Sequence, residues 1–413
     1  MSLRHFLLPV VSAGLLLPLS HQAAPLVSIG DNADLFFNGS SSVRWNSNIF
    51  RDDANEEEDM IFTLSPGLEL NFGRGVSNAD LSVIAQYDIT RYTDNDRLDS
   101  EQLTIRALGS YRSSRLDLRG SVGFSEQEST SGDEQVTSTE DLIKSENYDA
   151  NLDGEYRFSP KFSFGAGFKY SERKYTTFED RLADRETWTL PFDLFYELTP
   201  KVDLSAGYSY THSDVEETFR PERVPLAAYT GGYDTESHFF NIGARGTLLP
   251  KLNGFFKVGY RVRETDDSDT GILDSLGNPV ILGETDRNDN GILGLDANFS
   301  YSATPKLSAS LNLSRDFGVG GQGESTEVTS GRLSAAYSIS PHWSSSAFVG
   351  YTYREYTDGD REDDQYTAGL RLNYSLDEHW RFSGGYSYSE NKSDDDPRDY
   401  VIHIFDLTAT LRY

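Results

Sequence analysis

Polar and apolar side chains alternate along much of this chain. From Val202 to Thr211, the residues Val202, Leu204, Ala206, Tyr208 and Tyr210 share one face, and Asp203, Ser205, Gly207, Ser209 and Thr211 share the other. A period of two is the geometry of a strand. The same division separates Tyr366, Ala368, Leu370, Leu372 and Tyr374 from Thr367, Gly369, Arg371 and Asn373, and Trp380, Phe382, Tyr386 and Tyr388 from Arg381, Ser383, Ser387 and Ser389. The chain ends in the same way, with Phe405, Leu407, Ala409, Leu411 and Tyr413 opposed to Asp406, Thr408, Thr410 and Arg412. Beyond residue 24 no run of about 18 apolar residues occurs, so no helix of that kind spans a membrane.

One phrase punctuates the strands: YRFSPK (156–161), YELTPK (196–201), GTLLPK (246–251), YSATPK (301–306) and YSISPH (337–342). Each reads as a strand end, a tight turn and a new strand, because proline has a fixed φ suited to a corner and no N–H to offer a ladder. Variants near 75, 114 and 378 complete a series of eight with a mean period of about 43 residues. That length holds two long strands, one tight turn and one longer loop. A propeller blade would need four strands in the same span. Eight short turns alternating with nine polar segments predict 18 strands, with both ends of the chain on the short-turn side.

The apolar face requires a solvent. Long strands with one face so rich in glycine and polar groups fit a closed barrel, lipid outside and water inside, which also leaves no open sheet edge. The expected fold is an all-β, transmembrane, antiparallel up-and-down barrel with short periplasmic turns and long acidic extracellular loops. Tyrosines before the turns (Tyr111, Tyr156, Tyr196, Tyr301, Tyr337, Tyr374) and at the opposite strand ends (Tyr87, Tyr170, Tyr210, Tyr260, Tyr353) predict two interfacial girdles.

Charge refines this picture. The 413 residues carry 66 acids and 37 bases, a net charge of −29, which argues against a nucleic-acid partner. The nine long connections together hold −37, leaving +8 for the rest of the chain. With no cysteine, there is no disulfide, thiolate metal site or cysteine nucleophile. Inward positions place Arg245, Lys257, Arg261, Arg263, Arg371 and Arg381 in the lumen among carboxylates such as Asp193, Asp203 and Asp406. Two readings stand: a cross-strand ion-pair network that stiffens the wall, or a ladder that guides an anionic solute. Asp286, Asn288, Asn290 and Gly291 match the start of a calcium loop, but Ala297 stands where a bidentate Glu is needed. The acidic loops also invite divalent cations that bridge lipopolysaccharide. No nucleophile or metalloprotease motif occurs, and His212 with Asp214 is the one acid–base pair worth testing. The expectation is a protein that is not an enzyme and holds no cofactor.

Residues 1–24 combine Arg4, an apolar run from Phe6 to Leu19 and the small residues Ala23 and Ala24, which predicts a cleaved signal peptide. A short periplasmic segment (25–34) and the barrel (35–413) would follow. The last strand resembles the assembly signal of bacterial outer-membrane barrels through Phe405, Leu407, Leu411 and Tyr413, which would make the barrel assembly machinery a partner. The phrases NSNIFR (46–51) and DMIFTLSPGLEL (59–70) resemble the putative beta-barrel porin 2 family of Gram-negative outer-membrane proteins. The resemblance implies an outer-membrane location, a porin-like channel for hydrophilic solutes and a link to exopolysaccharide export, with outer-membrane lipid, lipopolysaccharide, a saccharide solute and export components as partners. The alternative is a structural or surface-binding barrel whose lumen is plugged by loops 126–146, 214–236 and 264–289.

Overall fold

In the computed structural model, residues 24–73, 77–130, 142–220, 228–274, 278–285, 290–357, 361–394 and 398–413 are described. The first strands are β1 Val27–Ile29, β2 Ala33–Asn46, β3 Asp59–Phe72, β4 Ala79–Tyr92, β5 Ser100–Arg112, β6 Leu116–Thr130, β7 Leu142–Arg157 and β8 Phe162–Tyr175. Next come β9 Arg185–Thr199, β10 Val202–Val215, β11 Thr218–Arg220, β12 Ala228–Thr230, β13 Tyr233–Leu249, β14 Leu252–Thr265, β15 Ser268–Leu273 and β16 Pro279–Thr285. The series ends with β17 Asn290–Thr304, β18 Leu307–Val319, β19 Ser325–Ser338, β20 Trp343–Tyr356, β21 Glu362–Ser375, β22 Trp380–Ser393 and β23 Tyr400–Arg412.

Antiparallel neighbours follow one another around a closed barrel of 18 strands. Closure comes from β2 and β23, which pair from Asn38 opposite Arg412 to Asn46 opposite Ile404. Backbone hydrogen bonds between Phe37 and Tyr413 finish the seam at 2.6 and 2.8 Å. The short β1 folds back on the start of β2 and pairs Val27 with Leu35, so the first barrel strand begins at Ala33. The predicted signal segment lies almost wholly outside the described residues.

The alternation read from the sequence is the inside–outside pattern of this wall. Leu407, Ile242 and Leu293 are 69%, 67% and 62% exposed, whereas Asp203 and Ser205 are buried at 8%. This inversion of a soluble protein follows from the solvent: lipid accepts the apolar face, and the polar face lines the lumen. Tyr111, Tyr156, Tyr301 and Tyr337 stand exposed near the short turns, and Tyr87 and Tyr260 towards the opposite rim.

Seven of the eight tight turns fall where the repeat placed them, and side chains explain most of these; the first, near residue 75, lies partly outside the described residues. The hydroxyl of Thr199 accepts the N–H groups of Lys201 and Val202, and Ser159, Thr304 and Ser340 do the same in their own turns. Asp377 plays this part with its carboxylate, accepting from His379 and Trp380 at 2.9 and 2.7 Å. Those two donors hold its carboxyl below the usual carboxylate range. The turn after β13 has Leu249 at the capping position, which has no acceptor to offer, and Lys251 adopts a left-handed φ of 67°.

The long connections differ from the expected polar loops. Pairing of β6 with β7 continues out to Thr130 opposite Leu142, and β10 with β13 to Val215 opposite Tyr233. A ladder needs backbone partners but no apolar face, so strands extend past the lipid. The connections after β10 and β14 build a separate four-stranded sheet in the order β11-β12-β15-β16. There the Tyr229 hydroxyl donates to Glu217, and burial with this contact pushes its pKa up to about 12.

Candidate functional site

Strand parity points every expected cation into the lumen, and most meet a carboxylate there. Arg245 holds Glu155 with two nitrogens at 2.9 and 2.7 Å and Asp203 with a third at 3.1 Å. Its guanidinium lies 3.3 Å from the centroid of the inward-facing Phe195 ring. Lys257 binds both oxygens of Asp193 at 2.8 Å. Arg261 pairs with Asp316 at 2.8 Å and covers Phe239, while Arg263 donates to the Thr357 hydroxyl at 3.1 Å and covers Phe317. Arg371 reaches Asp406 at 2.8 Å and the Ser383 hydroxyl at 3.0 Å, and Arg381 stands exposed at the periplasmic end of β22. Arg412, of the last strand, closes on Glu69 at 2.9 Å. The Arg245–Glu155 contact joins β13 to β7 and spans part of the lumen instead of running along the wall.

Loops gather at the outer mouth around three small apolar clusters. Ile49, Ile61, Leu98 and Leu142 form the first, Ile143, Tyr175 and Leu182 the second, and Ala183, Val215 and Tyr233 the third. The connection between β18 and β19 reaches across to the third cluster. Ala183 N–H donates to the Gly321 carbonyl at 3.1 Å, the Tyr233 hydroxyl to the Gly323 carbonyl at 2.6 Å, and Arg185 to the Val319 carbonyl at 3.2 Å. Acids sit under strain in this crossing. Burial raises the pKa of Asp184, although it accepts the Tyr175 N–H, and burial together with repulsion from Asp184 and Asp214 raises that of Glu216.

Beneath the crossing lies a vestibule of about 500 Å³. Its walls carry Arg173, Arg354, Arg361 and Arg398, with Tyr175, Tyr356 and Tyr400 between them. Parity along β20 could have marked Arg354. Arg361 and Arg398 lie within segments whose net acidity reads as solvated loop, and no periodicity there betrays an inward turn.

Other expected sites fall elsewhere. His212 and His238 lie on the outer face, in tilted ring contacts with Trp188 and Tyr210 respectively at 5.3 Å, and His238 also bonds the Tyr208 hydroxyl at 2.9 Å. They belong to an aromatic band at the outer rim. Of the calcium candidates, Asp286 and Asn288 lie outside the described residues, and Asn290 opens β17 with its amide donated to Glu327.

A family model for the outer membrane protein beta-barrel domain matches residues 65–247, and one for putative beta-barrel porin 2 matches residues 232–413. The chain is an outer-membrane β-barrel. The second model is the family that the opening hairpin resembles, yet it matches the other half of this outer-membrane barrel. That fold places it in the outer membrane of a Gram-negative bacterium. No curated protein matches the sequence. Among solved structures, the open form of the ferric-catecholate import receptor Fiu from E. coli K12 is similar in fold. The TM-score is 0.52 at 11% identity, covering 93% of this chain and 82% of that one. OpdK of Pseudomonas aeruginosa, solved with vanillate, aligns at a TM-score of 0.44 and 12% identity over 92% of this chain and 99% of that one. OccAB2 of Acinetobacter baumannii aligns at 0.43 and 12% over 93% and 98%.

Proposed function

We propose that this barrel is a porin-like channel through which hydrophilic solutes cross the outer membrane by diffusion. The observation that carries the reading is the wall itself: a closed barrel, apolar towards lipid, whose inward face is polar and charged. An inert plug would not need a mouth vestibule lined by arginine, tyrosine and amide groups. Lumenal cations held by carboxylates fix the shape of the pore and leave its net field weak, while the acidic loops favour cations at the entrance. Conductance of the purified barrel in a planar bilayer, with the reversal potential in a salt gradient, tests this. Stable channels selective for cations are expected, and silence from folded barrels refutes it.

The connection crossing the mouth favours a second reading, a surface-binding or structural barrel closed by its own loops. Deleting residues 320–324 distinguishes them: a silent barrel that opens on deletion is a plugged one. The family resemblance carries the further proposal that the solute is saccharide and that the barrel serves exopolysaccharide export, with lipopolysaccharide around it and the barrel assembly machinery reading Phe405, Leu407, Leu411 and Tyr413. Loss of secreted polysaccharide on deletion of the coding gene is the expected result.

A further inference from the structure

Two strand pairs on nearly opposite sides of the barrel carry the same cassette on their lipid-facing side. In sequence, GYSY stands at 207–210 and again at 385–388, and SHFFNIGA (237–244) matches IHIFDLTA (402–409). The register sets Tyr208 opposite Phe240 and Tyr210 opposite His238, and likewise Tyr386 opposite Phe405 and Tyr388 opposite His403. Side chains repeat as closely as the backbone. The Tyr208 hydroxyl meets His238 Nδ1 at 2.9 Å, and the Tyr386 hydroxyl meets His403 Nδ1 at 3.0 Å. Those ring pairs are stacked at 6.1 and 6.2 Å, and the second tyrosine of each cassette tilts onto the histidine at 5.3 and 5.4 Å. A third strand adds one more aromatic ring opposite the phenylalanine, Tyr260 in the first cassette and Trp45 in the second.

An apolar lipid face and an interfacial girdle call for aromatic rings, not for this repetition. The contrast is GYTY at 350–353, whose tyrosines stand opposite Tyr366 and Asp364, and where Tyr351 gives its hydroxyl to Asp364 at 2.5 Å. At the first cassette Tyr208, His238, Phe240, Val262 and Glu264 line one open niche of about 590 Å³, so ring faces, imidazole and carboxylate lie within reach of a single ligand.

We propose that each cassette binds the sugar ring of a glycolipid headgroup in the outer leaflet. The electron-rich faces of the aromatic rings attract the C–H groups on one side of a sugar. The tyrosine fixes the imidazole: with its hydroxyl donating to Nδ1, the neutral ring keeps its proton on Nε2 and offers it to a sugar oxygen. Glu264 accepts a sugar hydroxyl at the first cassette. A phosphate headgroup suits the place less, because Glu236 and Glu264 stand opposite each other there and repel an anion. An acyl chain would use the rings and give the imidazole no partner. The proposal rests on the outer-membrane location and stands whether or not the lumen conducts.

Native mass spectrometry of the full barrel, released from phosphatidylcholine nanodiscs that also carry a monoglucosyl diacylglycerol, counts the molecules retained. Two glycolipids per barrel are expected for the wild type, one each for His238→Phe and His403→Phe, and none for the double variant, since phenylalanine keeps the ring and loses the N–H. Tyr351→Phe removes a girdle hydroxyl outside the cassettes and should retain two. Phosphatidylglycerol in place of the glycolipid should leave nothing bound above the phosphatidylcholine level. No glycolipid on the wild type, two on the double variant, phosphatidylglycerol retained equally well, or an equal loss in Tyr351→Phe overturns the proposal. If the double variant fails to fold, the single variants decide, because two molecules retained by each refutes the sites.

Discussion

Arg245 is the side chain whose removal tests the lumenal wall most directly. It ties β13 to β7 through Glu155 and to β10 through Asp203, and its own side chain and that of Asp203 are only 11% exposed. At an effective dielectric of about 20, a unit pair at 4 Å is worth about 4 kcal/mol. Taking away one partner of a buried pair typically costs about 3–5 kcal/mol, because the other charge stays desolvated. Glu155 is 28% exposed and keeps the Ser163 hydroxyl at 2.6 Å, so water and this donor offset part of the loss. Arg245→Met should therefore destabilise the barrel by about 3 kcal/mol, and Glu155→Gln alone by about 2 kcal/mol. The double variant should lose about 3 kcal/mol, a coupling of about 2 kcal/mol. Guanidinium unfolding of the barrel folded into lipid vesicles, followed by tryptophan fluorescence, measures all three. Additivity of the two single losses would refute the ion-pair account. The same Arg245→Met barrel should shift its reversal potential towards cations, since the lumen loses one positive charge.

The mouth should respond to acid in a definite direction. Burial raises the pKa of Asp184 and Glu216, so their charged forms oppose the folded mouth above those raised values, and that opposition is relieved as pH falls through them. Proteolysis of the connection at 176–184 should be slower at pH 5 than at pH 7.5, with the difference shrinking in Asp184→Asn. Asp377 behaves oppositely: its carboxyl is held low by two N–H donors, so its support of the turn after β21 is present above the unfolded pKa and fades as pH falls through the folded one. Thr199→Ala should cost about 1 kcal/mol in vesicle unfolding by removing a hydroxyl that accepts two turn N–H groups. Tyr413→Ser should lower the yield of assembled barrel in cells, read as heat-modifiable protein in outer membranes, while refolding in detergent continues.

The strands, their number and their inside–outside sense were legible because each depends on local periodicity. Leu407 must face lipid wherever its neighbour Asp406 faces water, and Thr199-Pro200 makes its turn with atoms a few residues apart. Position along a strand also assigned the expected cations to one face of the wall. It could not tell what they meet there, since Arg245 and Glu155 are 90 residues apart and touch only because the barrel closes. Loop composition misled in one respect. Arg361 and Arg398 lie in acidic segments, and nothing in their spacing turns them inward; their placement follows from strands that extend beyond the lipid and connections that pack on Ile49, Leu182 and Val215. The sequence by itself determined a barrel with a polar interior, because alternation and turn chemistry act within a few residues. Tertiary structure alone decided which charges pair and that the mouth forms a vestibule, because both require side chains from strands far apart in the chain to converge across the lumen.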